Sequence, residues 1–327
     1  MRPSVDFDSD GGEERGALTT QFEAPEGLFE LSGLWQPPTG AVQFHHARQT
    51  RVAHATVEGH GEVVIFGVGQ SLHIAPLSRP EFQPVKTVTF TGSAVVTCVA
   101  ACVHVPHDGN DLLVGLSSGE VYVASLRAQL ADAGKKLVGG LHLNKEGAGS
   151  GAAGSRCSAV AWCPRQDGRF ISAHADGSIY LYNQPREGVL CTGPIGTGSS
   201  DPAFPPVRDP SAFSVAHAKS GRASPSSRWH LCAAALTDLA FGPEGDLLAC
   251  AGRDGVVRVY DFAQPAVVCA FKMYYGAALS VAWSPDGRFI AAAGESDLVE
   301  VWSMEGRRVV AWAQGHDSWV SEVAFLG

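Results

Sequence analysis

Long apolar runs are absent from this chain of 327 residues. The longest, residues 94–105, is interrupted by Thr97 and His104 and is too short to cross a bilayer. The first eight residues contain no hydrophobic signal region, so we expect no export. These features argue against a membrane partner and a secreted protein.

Charge is also scarce, since Asp, Glu, Lys and Arg make up 17% of the residues and the net charge is −9. Phosphate binding needs an excess of Lys and Arg on one face, so we expect no nucleic-acid partner. The eight cysteines show no disulfide-like framework, which favours a reducing compartment. We therefore expect a protein of the cytoplasm, the nucleus or both.

The chain does contain an internal repeat between residues 236 and 325. Residues 236–260 are followed by a near copy at 279–302, and Tyr260 and Trp302 close the two copies 42 residues apart. A third copy begins near Phe325. A period of about 40–45 residues with a Trp- or Tyr-ended strand in each unit is typical of a four-stranded propeller blade.

Each unit contains three apolar runs that are too short for ordinary helices. In the second copy they are residues 281–283, 289–293 and 298–302, and the turn sequence Ser-Pro-Asp-Gly at 284–287 separates the first two. One blade cannot cover both faces of its own sheet, so the units must stack on one another. The sequence predicts an all-β fold, a WD-repeat β-propeller of four-stranded blades.

Weaker signals place further blades earlier in the chain. Residues 51–76 are predicted to form a pair of strands and residues 85–124 a degenerate blade. Residues 127–156 are predicted to be a Gly- and Ala-rich connection, and residues 158–182 a clear blade. We expect about five blades plus fragments.

Composition divides the chain into two parts. Residues 1–16 are acidic and poor in apolar side chains, which predicts a disordered tail before a propeller at 17–327. Residues 184–228 are rich in Gly, Pro and Ser and predict a flexible inserted loop between strands of one blade. The Asp and Trp expected after Gly315-His316 are absent, so we expect the last blade to be truncated and the propeller incomplete at its C-terminus.

Motifs for catalysis and cofactor binding are weak. Residues 149–154 match GxGxxG, but a predicted strand that ends at Pro164 follows in place of the helix that a pyrophosphate needs. The chain has no GxSxG elbow, HExxH pair or Cys nucleophile context. We therefore predict that the protein is not an enzyme, has no catalytic or cofactor-binding residue and takes no small-molecule substrate.

One cluster has the residue types of a zinc site, namely Cys98, Cys102, His104 and His107. The first three share strand parity, so they are predicted to line one face of a buried strand. Free cysteine is among the most buried residues in proteins. A structural role is the favoured interpretation, and we predict no metal site.

Aromatic residues precede the innermost strands of the last two units. Tyr274 and Tyr275 lead into one strand, and Asp317 and Trp319 lead into the next. Tyr275 and Trp319 are close to one repeat apart, so they are predicted to occupy equivalent loops on one rim of adjacent blades. Large loop aromatics are candidate interface anchors. The alternative is that each ring packs over its own blade; the pairing favours partner binding, and we predict these four residues as the partner-binding site.

Several segments resemble one family of WD-repeat proteins, the cofactors of ubiquitin-specific proteases, which includes the dystrophia-myotonica WD-repeat protein and fungal catabolite-repression protein C. The resemblance runs from about residue 20 to the end. The segments that carry it are residues 22–31, 173–183, 213–217 and 275–325.

The resemblance implies a non-catalytic propeller that binds a cysteine-type deubiquitinase on its rim and stimulates it allosterically. In that family two loop aromatics anchor the protease, and the resemblance assigns these roles to Tyr275 and Trp319. Tyrosine stands at the first position, where phenylalanine is usual, and its hydroxyl needs a partner in a dry interface.

Two other functions stay open. One is a ubiquitin-ligase substrate receptor, although such propellers often carry Trp-Asp-x-Arg after the third strand. The corresponding segments 260–263 and 302–305 both lack the arginine. The other is a general multi-protein scaffold.

Overall fold

The computed structural model describes residues 51–78, 83–102, 111–132, 134–138, 140–144, 155–166, 168–183, 204–218 and 225–325. Within these ranges the chain forms five antiparallel sheets and one short helix. The predicted acidic tail at 1–16 lies outside the described residues.

The first two sheets have their strands in sequence order. The first contains β1 (Val52–Val57), β2 (Gly61–Val68), β3 (Ser71–Pro76) and β4 (Lys86–Thr89). The second contains β5 (Val96–Ala101), β6 (Leu112–Leu116), β7 (Val121–Ala124) and β8 (Gly140–Leu143), with the helix α1 (Leu126–Ala131) between its last two strands.

The third sheet has five strands, and the last two sheets have four each. The third contains β9 (Cys157–Trp162), β10 (Arg169–His174), β11 (Ser178–Asn183), β12 (Ser214–His217) and β13 (Ser227–His230), in the order β12-β13-β11-β10-β9. The fourth contains β14 (Leu236–Phe241), β15 (Leu247–Gly252), β16 (Val256–Asp261) and β17 (Ala266–Lys272). The fifth contains β18 (Ala278–Trp283), β19 (Phe289–Gly294), β20 (Leu298–Ser303) and β21 (Arg308–Gln314).

The sheets are stacked on one another through apolar side chains. The first strands contact in the order β1, β5, β9, β14 and β18. A separate hydrophobic cluster lies between each pair of consecutive sheets in the described part of the chain. Between the fourth and fifth sheets, for example, Val257 and Phe271 share a cluster with Trp302. This is the arrangement expected of propeller blades, because each sheet covers the face that its neighbour leaves open.

Several boundaries differ from the sequence prediction. Residues 51–76 contain three strands rather than two, and the predicted blade at 85–124 begins too early, because β4 pairs with β3 and completes the first sheet. The predicted connection at 127–156 is also wrong in part, since it contains β8, the fourth strand of the second sheet. In the sequence, residues 184–226 lie between β11 and β13 of the third sheet, and the segment predicted to be a loop contains the strand β12.

Asp238 on β14 joins three parts of the stack. Its Oδ2 accepts the amide of Val281 on β18 at 3.0 Å, and its Oδ1 accepts the amide of Leu239 at 2.9 Å. The guanidinium of Arg51, just before β1, lies 3.2 Å from the carboxylate and also donates to the carbonyl of Leu279 at 3.1 Å. One carboxylate therefore ties the inner strands of the fourth and fifth sheets to the start of the first.

In the fifth sheet, the position that corresponds to Asp238 is occupied by Ser280. The Oγ of Ser280 accepts the amide of Val323 at 3.3 Å. Ser280 lies 42 positions after Asp238, and Val323 lies 42 positions after Val281. Residues 321–325 therefore lie against β18 as β18 lies against β14. The start of the third copy of the repeat, predicted from the sequence near Phe325, therefore contacts β18 through the equivalent bond, although residues 321–325 do not form a strand.

Replacing Asp238 by alanine is expected to lower the free energy of unfolding by about 2 kcal/mol, because the buried amide of Val281 loses its acceptor and the guanidinium of Arg51 loses its ion-pair partner. Urea denaturation followed by tryptophan fluorescence would measure this change. The matched variant Ser280→Ala removes only one neutral bond and is expected to cost about 1 kcal/mol or less. Equal losses in the two variants would contradict the bridging role of Asp238.

Candidate partner-binding site

The four predicted site residues lie in two equivalent connections. Tyr274 and Tyr275 are in the loop between β17 and β18, which joins the fourth sheet to the fifth. Asp317 and Trp319 are in the segment between β21 and residues 321–325, which leaves the fifth sheet in the same way. The repeat spacing thus predicts the placement of both loops correctly.

The aromatic side chains of both loops are open to solvent. Tyr274 is 73% exposed, Tyr275 68% and Trp319 61%, and Asp317 is also exposed. Large aromatic residues in a stable fold are mostly buried. Most of the surface of each ring therefore lies outside the packing of its own blade.

Both loops are attached to the end of one strand. The amide of Glu295 donates to the carbonyl of Ala277 at 2.9 Å, and the carbonyl of Gly294 accepts the amide of Val320 at 3.0 Å. Gly294 and Glu295 are consecutive residues at the end of β19. Tyr275 is two residues from the first bond and Trp319 one residue from the second. The structure therefore brings both rings to the same end of the fifth sheet.

Close packing fixes the backbone of the tyrosine loop. The amide of Met273 donates to the carbonyl of Gly255 at 2.8 Å. Gly276 has a φ of +70°, and a Cβ atom at this position would lie 2.7 Å from the Cβ of Glu295. The loop therefore needs glycine there, both for its left-handed backbone and for its contact with Glu295, the residue after β19.

A buried carboxylate completes the attachment. The Oε1 of Glu300 on β20 accepts the amide of Tyr274 at 2.7 Å, although Glu300 is only 1% exposed. Burial raises the pKa of Glu300, and the hydrogen bond from the Tyr274 amide opposes this rise. A rigid loop loses little conformational entropy when a partner covers its aromatic side chains.

Sequence reasoning missed two residues of this region. Glu300 contacts the tyrosine loop directly, and Trp312 lies opposite it on β21 and is 47% exposed. Both depart from the preceding repeat, where the same positions are Arg258 and Ala270. A comparison of the two copies position by position could have found them.

The Cys and His residues that were candidate zinc ligands include Cys98, which is part of the hydrophobic core. The Sγ atoms of Cys98 and Cys157 lie 3.7 Å apart in the core between the second and third sheets. His104, His107 and the glycine motif at 149–154 lie outside the described residues. Among the residues that are described, no group of three His, Cys, Asp or Glu side chains could hold a metal ion. The same residues contain no helix long and apolar enough to cross a membrane.

Stacked antiparallel blades that each cover the open face of a neighbour define the class of blade-repeat scaffolds. The family described as "WD domain, G-beta repeat" matches residues 224–261 and 271–303. The chain belongs to the WD-repeat proteins, which in general are non-catalytic scaffolds for protein–protein interactions. The predicted all-β fold of stacked WD-repeat blades is confirmed, and the place of the chain among the WD-repeat proteins agrees with the predicted family.

A particular relative is WD repeat-containing protein 20 of Mus musculus, which is 33% identical to this chain over 338 aligned positions. The alignment includes 96% of the chain and 54% of the relative. The chain thus spans about half the length of the relative that it matches.

Proposed function

We propose that this protein is a non-catalytic WD-repeat scaffold that binds and activates a ubiquitin-specific protease and thereby regulates deubiquitination in the cytoplasm or nucleus. The observation that carries the proposal is the pair of exposed rings, Tyr275 and Trp319, at one end of the fifth sheet. The sequence resemblance to protease cofactors assigns anchoring roles to the same two residues.

The chemistry of the two loops suits a protein partner. Tyr and Trp are enriched among the residues that dominate binding energy, because each buries a large apolar area at low cost in rotamer entropy. The Tyr275 hydroxyl requires a hydrogen-bond partner once the ring is covered, which favours a protein surface with polar groups among apolar ones. Asp317, exposed beside Trp319, adds a negative charge at the rim.

Activation without catalysis requires only differential binding. A rigid blade edge that binds the active conformation of a protease better than its inactive one shifts the population toward the active form. The hydrogen-bonded loops of the fifth sheet provide such an edge, since little of the site has to be ordered on binding.

Affinity purification of the tagged chain with mass spectrometry, followed by reconstitution from purified components, tests this function. We expect a cysteine-type ubiquitin-specific protease to co-purify, and the purified chain to bind it directly and to raise its rate of cleavage of a fluorogenic ubiquitin substrate about tenfold. The chain alone should cleave nothing. Recovery of ubiquitin-ligase subunits without a protease, or direct binding without any change in the cleavage rate, would contradict the proposal.

A further inference from the structure

Five blades can be compared at one position of their third strands. This position lies near the start of each third strand and is occupied, from the first sheet to the fifth, by His73, Tyr122, Tyr180, Arg258 and Glu300. Glu300 is the single acidic residue of this set in the described chain. It is also the least exposed carboxylate of the fifth sheet, with 1% of its surface exposed.

The fourth sheet shows what a different residue does at this position. Arg258 turns to its own blade and forms a 2.6 Å ion pair with Asp254. In the loop that enters this sheet, the counterpart of Tyr274 is Cys232, which is 4% exposed. The arginine therefore accompanies an entry loop with a buried cysteine at this position, whereas Glu300 accompanies an entry loop with exposed tyrosines.

The contact made by Glu300 is specific to a loop backbone. Its carboxylate accepts the Tyr274 amide at 2.7 Å, which is the length of a strong charge-assisted hydrogen bond. Burying a carboxylate is unfavourable unless it is hydrogen-bonded. An alanine at position 300 would avoid this cost, but it would leave the Tyr274 amide without its acceptor. The carboxylate thus contributes to the conformation of the loop more than to the packing of the sheet.

We propose that Glu300 is a positioning residue that fixes the loop of residues 274–276, so that Tyr275 projects from the rim in the orientation that a protein partner binds. The effect on affinity rests on the proposed function. The effect on the loop does not, because it can be measured in the free protein.

Two variants at one position separate positioning from packing. Glu300→Gln keeps an oxygen that can accept the Tyr274 amide, whereas Glu300→Ala removes it. Hydrogen exchange of the 273–277 segment in the free chain is expected to be at least tenfold faster in the alanine variant and within about twofold of wild type in the glutamine variant. Affinity for the protease should fall about tenfold in the first variant and be kept in the second.

Glu305→Ala is the matched control, because Glu305 is an exposed acid in the turn at the other end of β20. It should change neither exchange nor affinity. Unchanged exchange in Glu300→Ala, or a glutamine variant that behaves like the alanine variant, would overturn the inference. If the wild-type chain binds no protease while exchange responds as expected, the proposed function fails and the positioning role stands.

Discussion

Replacing Tyr275 and Trp319 together by alanine is expected to weaken binding of the protease at least 100-fold. Residues that anchor an interface commonly cost about 2 kcal/mol or more each on truncation, and about 1.4 kcal/mol corresponds to a factor of ten in affinity. Both rings are largely exposed in the free protein, so their removal takes little apolar surface out of the core. The free energy of unfolding should change by less than about 0.5 kcal/mol per site. Isothermal titration calorimetry with the purified protease and urea denaturation measure the two quantities.

A control for this pair is available in the first sheet. Leu77 follows β3 and is 41% exposed, but it lies on a different blade from the two anchor loops. Leu77→Ala should leave affinity within about twofold of wild type. Retention of affinity by the double variant within about threefold would mean that the exposed rings are not the docking surface.

The sequence predicted the parts of the fold that recur. Tyr260 and Trp302 are the second-last residues of β16 and β20 and lie one repeat apart, and both side chains are buried between sheets, so periodicity and burial agree. The same periodicity predicts that Tyr275 and Trp319 lie in equivalent loops. Whether these residues bind a partner stays a prediction.

The outer strands could not be predicted as well, for a physical reason. They have a neighbour on one side only, and their side chains are partly exposed, so their apolar pattern is weak. β4 and β8 have four residues each, and β8 includes the flexible residue Gly140 and the polar His142. Glu300 was missed because its role depends on a loop from elsewhere in the chain, which the strand pattern does not contain.

Replacing Gly294 by alanine is expected to reduce stability and binding together. A Cβ atom at this position would lie 1.9 Å from the carbonyl oxygen of Ala277, so the end of β19 and the start of β18 would have to separate. The same end of β19 carries the hydrogen bonds to Ala277 and Val320 that fix both aromatic loops. Overpacking of this kind costs about 1–3 kcal/mol, and contact with backbone rather than a flexible side chain favours the upper end of that range. We expect a loss of about 3 kcal/mol in unfolding free energy and at least tenfold in affinity.

Gly306→Ala is the matched control in the same sheet, because a Cβ atom there would meet no atom closer than 3.5 Å. It should leave the unfolding free energy and the affinity nearly unchanged. The same result in Gly294→Ala would mean that the close contact with Ala277 relaxes without moving the loops.

The double ring variant and Gly294→Ala together separate the contribution of the aromatic side chains from that of the loop backbone. Loss of the rings should weaken affinity at least 100-fold in a fully stable protein, whereas disturbance of the backbone contact should weaken affinity in proportion to the disturbance of the fifth sheet. Affinity that survives in Gly294→Ala despite a large loss of stability would show that the partner itself orders the loops, and that their rigidity in the free protein is not required for binding.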